Sequence, residues 1–213
     1  MPTDQVLSYM KECTPQQRLE LQVAMQCAPV LKQVKISNLL TVKCGQWQRV
    51  RQQLAKCRVI CMLLYADGEK EVVFFYRYEG LERHLRKPEV REFLLDFGYG
   101  GERYEVAAVM KRLKRRYQQY AGTGGPFPHE LGVLLEYPVE DVREFIARKG
   151  EGCLLSGYWK VYGNVEKARE RFRMYDAARE QAAREIMNGK KLWQIAADGE
   201  KTGMSAVQRG MGA

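Results

Sequence analysis

Histidine is scarce in this chain, and paired cysteines are missing. Only His84 and His129 occur, and none of the six cysteines forms a CxxC pair. A multi-histidine metal centre and a dithiol redox motif are thereby excluded. Cys57 and Cys61 fall in a strand-like run, where residues four apart stand about 13 Å from one another, too far to share a metal ion. No window of about 18 apolar residues occurs, so no membrane-spanning helix is predicted. Met1-Pro2-Thr3-Asp4-Gln5 lacks the basic-then-apolar order of an export signal. The expectation is a cytoplasmic protein whose thiols stay reduced. GxSxG and HExxH are absent. Gly98-Tyr99-Gly100-Gly101 is glycine-rich but does not join a strand to a helix with phosphate-loop or dinucleotide spacing.

The 213 residues are 46% hydrophobic and 29% charged. This is an ordinary globular balance. The expectation is one α+β domain over residues 1–197, with a disordered tail over 198–213 that is rich in Gly, Met and Ala. A formal net charge of +9 favours an acidic partner such as nucleic acid, an anionic membrane surface or a phosphorylated ligand. The densest basic cluster is Lys111, Arg112, Lys114, Arg115 and Arg116. Apolar residues recur through it at helical spacing, so it reads first as a solvated helix face and second as a nucleic-acid patch.

Thr14-Pro15-Gln16-Gln17 carries a capping box and an N1 proline for a helix to about Cys27, which Ala28-Pro29 should end. A strand over 36–43, a helix over 45–56 and a hairpin of strands 58–65 and 71–77 follow, joined through Asp67-Gly68. Val72-Val73-Phe74-Phe75-Tyr76 is apolar at every residue, which requires cover on both faces of the sheet. Helices over about 79–150 supply it. A last strand, 153–162, precedes a helix from Asn164 to Met187. This order predicts a four-stranded, mainly antiparallel sheet of ferredoxin-like (split βαβ) order, with the helical insertion between strands 3 and 4.

Two segments offer chemistry. In Phe127-Pro128-His129-Glu130-Leu131-Gly132, a helix beginning at Pro128 would place His129 in its first turn, where the backbone N–H groups keep the imidazole neutral. Gly132 and Glu136 would share its face, with the glycine leaving the backbone bare. His129 could then receive an anion, hydrogen-bond a substrate carbonyl, ligate a metal or, with Glu130, act as acid and base; equally, it could cap its own helix or bond a neighbouring backbone carbonyl. In Gly157-Tyr158-Trp159-Lys160-Val161-Tyr162, alternation puts Lys160 between Tyr158 and Tyr162, a setting for a phosphate or carboxylate. The competing reading is a sheet face with Lys160 reaching water. His84 reads as a solvated helix residue. No metal site is predicted, and the sequence leaves the cofactor unknown.

The run Phe127 to Gly132, continuing into Tyr137-Pro138-Val139-Glu140-Asp141-Val142 and Phe145-Ile146, and then Gly157 to Tyr162, resembles an uncharacterised bacterial family. It is the family catalogued as domain of unknown function 3793. Ala28-Pro29 with Leu31 and Lys35 is similar to that family's N-terminal motif, so the resemblance spans roughly residues 15 to 187. It implies no activity, substrate or cofactor, but it ranks residues: Glu130, Trp159, Lys160 and Tyr162 match the pattern. Glu136 stands where glycine is usual, which demotes it as a partner of His129. The final helix carries Asp176-Ala177-Ala178 after its tyrosine, where the pattern usually has a cysteine.

The best-supported expectation is a protein that binds a small anionic molecule through His129, Gly132, Tyr158, Lys160 and Tyr162. An acid/base enzyme and a nucleic-acid binder are the alternatives.

Overall fold

A computed structural model describes residues 3–100 and 104–199. Its first helix, α1 (Thr3–Glu12), is followed by α2 (Pro15–Leu31). The capping box forms as its sequence dictates: Gln17 N–H donates to Thr14 Oγ1 at 3.3 Å, and Thr14 N–H donates to Gln17 Oε1 at 2.9 Å. The helix does not stop at Pro29 but carries it inside. Its last turn, Cys27 to Leu31, is wholly buried, and the Pro29 carbonyl is taken up by the N–H groups of Val34 and Lys35 at 2.9 and 3.0 Å. Burial of that turn outweighs the one hydrogen bond that proline removes.

Next come β1 (Ser37–Lys43), α3 (Trp47–Leu54), β2 (Ile60–Ala66) and β3 (Lys70–Tyr76). They form a three-stranded antiparallel sheet in the order β1-β3-β2. The β2–β3 turn is closed by the Asp67 carboxylate, which accepts from the N–H groups of Glu69 and Lys70 at 2.8 Å each. The alternation of β3 explains its unbroken apolar run. Val73 and Phe75 join Leu40 and Val42 under α2, α3 and α9 (Val165–Met187), while Val72, Phe74 and Tyr76 face the opposite layer. That layer consists of α4 (Tyr78–Leu85), α5 (Pro88–Asp96), α6 (Val106–Thr123), α7 (Glu130–Leu134) and α8 (Val139–Ala147). The sheet is thus covered on both faces.

The four-stranded ferredoxin-like sheet is not formed. Residues 153–162 fold back on themselves as a hairpin of β4 (Leu155–Ser156) and β5 (Lys160–Val161), a separate two-stranded sheet. A turn at Gly157-Tyr158 breaks the expected strand, with Gly157 N–H donating to Trp159 O at 3.1 Å. The outer edge of β1 is meanwhile tied to α2 by one side chain from each element. Gln22 Nε2 donates to Thr41 O at 3.0 Å, and Asn38 Nδ2 donates to Gln26 O at 2.9 Å. An edge blunted in this way offers no ladder to a fourth strand.

Helix α9 begins at its Asn164 cap and ends at Asn188-Gly189, where Gly189 takes a φ of 84°. Residues 192–199 form a final helix, α10, which contains Asp198 and Gly199 of the expected tail; the rest of that tail lies outside the described residues. All six cysteines are free. Burial pushes the Cys57 thiol up to about 11 and the Cys61 thiol up to about 12. Among the described residues no helix is long and apolar enough to cross a membrane, and no group of three or more His, Cys, Asp or Glu could hold a metal ion.

Candidate ligand-binding site

The site is built on a carboxylate. Asp141, in the first turn of α8 and only 5% exposed, accepts three hydrogen bonds from the β5 region. Its donors are Trp159 Nε1–H at 2.8 Å, Tyr162 N–H at 2.8 Å and Gly163 N–H at 3.1 Å. These bonds fasten the α7–α8 segment to the β4–β5 hairpin. Aromatic packing completes the joint: Trp159 stacks on Tyr137 at 5.2 Å and meets Phe172 edge-on at 4.6 Å. Gly157 is required where the hairpin crosses α9, because a Cβ there would lie 2.2 Å from the Phe172 ring.

Between the two fastened segments lies a cavity of about 370 Å³ whose lining includes His129, Gly132, Tyr137, Phe145, Trp159 and Lys160. Three of the five residues expected to bind a ligand, His129, Gly132 and Lys160, therefore meet at one cavity. Their local settings differ from the sequence-based picture. Helix α7 starts at Glu130 and is five residues long, so His129 is its N-cap residue. A helix so short supplies no useful dipole. The imidazole has no side-chain hydrogen bond to cap the helix and rests edge-on against Phe127 at 5.2 Å. Its pKa is lowered, first by desolvation, with Glu130 opposing and Arg116 assisting, so the ring is neutral at pH 7. Gly132 is no bare gap. A Cβ there would approach Val142 Cγ2 at 3.1 Å and Tyr137 Cδ2 at 3.3 Å, so the glycine permits close packing of α7 on α8. Glu136 shares no face with His129; it ends α7 with a φ of 66° and accepts Ile36 N–H at 3.0 Å.

Lys160 Nζ donates to Gly150 O at 2.7 Å and lies 5.9 Å from the Phe145 ring centre. An ammonium carries three donors, so that bond leaves two of them free. Tyr158 and Tyr162 turn away from the cavity. Tyr158 donates its hydroxyl to Asp176 at 2.7 Å and packs on Phe172 and Tyr175, while Tyr162 lies under the Arg148 guanidinium. The alternation that placed them beside Lys160 assumed a continuous strand, which the turn at Gly157-Tyr158 interrupts.

Glu130 is fully buried and points away from His129's cavity, into a cluster where it accepts from Arg116 and, at 2.9 Å, from the Tyr99 hydroxyl. That pairing also takes Arg116 out of the basic face of α6. Arg112 is likewise turned inward, donating to Phe97 O at 2.8 Å and lying over the Tyr99 ring. Of the five basic residues, Lys111, Lys114 and Arg115 have no such inward contact among the described residues.

His84 is buried rather than solvated. Its Nε2 lies 2.9 Å from Val133 O, and its Nδ1 has no hydrogen-bond partner among the described residues. Asp141 stands in the sequence only as one residue of the Tyr137 to Val142 motif; nothing in its spacing announces that it bridges to Trp159. Lys35, from the N-terminal motif, is 3% exposed, donates to Asn38 Oδ1 at 3.1 Å and lies between the rings of Tyr137 and Tyr175. Desolvation lowers its ammonium to about 8.

One protein-family profile, described as Protein of unknown function (DUF3793), matches residues 23–196. The chain belongs to the DUF3793 family. The match contains every residue of the cavity lining, from Leu39 to Lys160. No curated protein matches the chain, and no solved structure does. The cavity of this DUF3793 protein is a mostly apolar chamber with one ammonium, one imidazole and the Asp141 carboxylate at its wall.

Proposed function

We propose that this protein is a cytoplasmic small-molecule-binding or regulatory protein that holds a small anionic ligand between α7 and the β4–β5 hairpin. The observation that carries this reading is the cavity of about 370 Å³ into which His129 and Lys160 converge from separate segments. Concave, largely apolar chambers with a few convergent polar groups are the usual form of small-molecule sites. Lys160 has no carboxylate partner among the described residues, so its charge is available to a ligand.

The reading as an acid/base enzyme is less favoured, because Glu130 is committed to Arg116 and Tyr99 and does not line the cavity. Nucleic-acid binding is weakened by the inward pairing of Arg112 and Arg116. The free thiols fit a reducing compartment.

A thermal-shift screen of small carboxylates and phosphorylated compounds tests the proposal, using wild type, His129→Ala and Lys160→Met. Hits that raise the melting temperature of wild type should lose most of that effect in both variants. Identical shifts in all three proteins would remove His129 and Lys160 from any binding site.

A further inference from the structure

The lining of the cavity restricts what can enter it. We infer that the ligand is a small monocarboxylate with a flat apolar ring body, rather than a phosphorylated sugar or a nucleotide; the inference rests on the reading of this cavity as an anion site. Size gives the first limit. The chamber holds about 370 Å³. Ligand cavities range upward from about 300 Å³, so this one lies near the small end and suits a body of one or two rings.

The walls give the second limit. Phe145, Trp159, Leu131, Leu135 and Val142 present ring and aliphatic surface. The indole N–H, the one strong donor among these side chains, is already given to Asp141. Sugar hydroxyls spread over these apolar walls would lose water for few partners, Ser156, His129 and Lys160 among them, whereas an aromatic body would gain ring contacts.

Charge gives the third. A phosphate dianion is held by several charged donors, most often with an arginine fork among them. Among the described residues no arginine lines this cavity, Lys160 is its one cation, and the Asp141 carboxylate in the wall opposes a second negative charge. A single carboxylate matches the donors that remain. Lys160 keeps two N–H groups after bonding Gly150 O. His129, neutral at pH 7, makes no side-chain hydrogen bond among the described residues, so its ring N–H is uncommitted. Both polar groups border the same ring: the His129 and Phe145 ring centres are 5.9 Å apart, and Lys160 Nζ is 5.9 Å from the centre of Phe145. The carboxylate belongs at that edge, with the ring body directed toward Trp159 and the leucines.

The test is isothermal titration of the full chain at pH 7.5 with phenylacetate, indole-3-acetate, neutral indole and glucose 6-phosphate, repeated on Lys160→Met and Ser156→Trp. Phenylacetate and indole-3-acetate should bind saturably, indole at least about tenfold more weakly than indole-3-acetate, and glucose 6-phosphate not at all. Lys160→Met should bring indole-3-acetate down to the affinity of indole and leave indole itself unchanged. Ser156→Trp, which places bulk at the cavity wall, should weaken both.

Binding of glucose 6-phosphate in a Lys160-dependent way, without binding of the carboxylates, would overturn the ligand class and leave the anion site standing. No saturable binding of any anion at millimolar concentration would overturn both. So would binding of indole-3-acetate that neither variant alters.

Discussion

Three hydrogen bonds converge on the Asp141 carboxylate, and together they set the distance between the two walls of the cavity. Asp141→Ala leaves a buried indole N–H and two backbone N–H groups without their acceptor, which should cost about 2–4 kcal/mol in urea denaturation. Asp141→Asn keeps one acceptor oxygen and should cost less. Equal stability of the alanine variant and wild type would show that the joint is held by ring packing instead.

His84 makes a separate, pH-dependent contribution. Desolvation lowers its pKa below 6.5, with the Val133 carbonyl opposing and Lys87 assisting. Above pH 6.5 both folded and unfolded chains carry it neutral. As the pH falls through 6.5 the unfolded chain takes up a proton that the folded chain resists, so the folded state loses stability on acidification. The stability gap between wild type and His84→Gln should therefore narrow from pH 7 to pH 5. A gap constant over that range would mean that His84 titrates normally in the folded protein.

Among the elements, the β4–β5 hairpin departs furthest from its sequence reading. Leu155, Trp159 and Val161 suggest one alternating strand, but Gly157-Tyr158 makes a turn whose purpose appears only when α9 is in place. Phe172 occupies the volume that a side chain at residue 157 would need. Gly157→Ala should destabilise the protein by about 1–3 kcal/mol through overpacking, read as a lower urea midpoint, and Gly157→Ala with Phe172→Leu should recover part of that loss. Lack of any recovery in the double variant would place the strain elsewhere.

The same contrast between local and distant causes separates what was legible from what was not. The caps of α2 and α9 and the β2–β3 hairpin depend on residues within a few positions of one another, and the sequence displays them. The continuation of α2 through Pro29, the burial of His84 and the pairing of Glu130 with Arg116 depend on partners brought from distant segments. Pattern alone cannot register these.

On the scale of the whole molecule, a three-stranded sheet with helices on both faces carries a satellite hairpin. The candidate site lies where that satellite meets the α7–α8 corner. The sequence marks both walls, through His129 at a helix start in Phe127 to Gly132 and Lys160 in Gly157 to Tyr162. The chamber between them depends on Asp141, Tyr137 and Phe145, whose roles emerge only from packing.

A small molecule that enters this chamber would meet the indole of Trp159. The chain contains three tryptophans, Trp47, Trp159 and Trp193, which give three indole N–H signals in a ¹H–¹⁵N spectrum. Only Trp159 lines the cavity. Titration with indole-3-acetate should shift the Trp159 signal progressively to saturation while those of Trp47 and Trp193 stay in place. A stationary Trp159 signal, or equal movement of all three, would show that indole-3-acetate does not occupy the chamber.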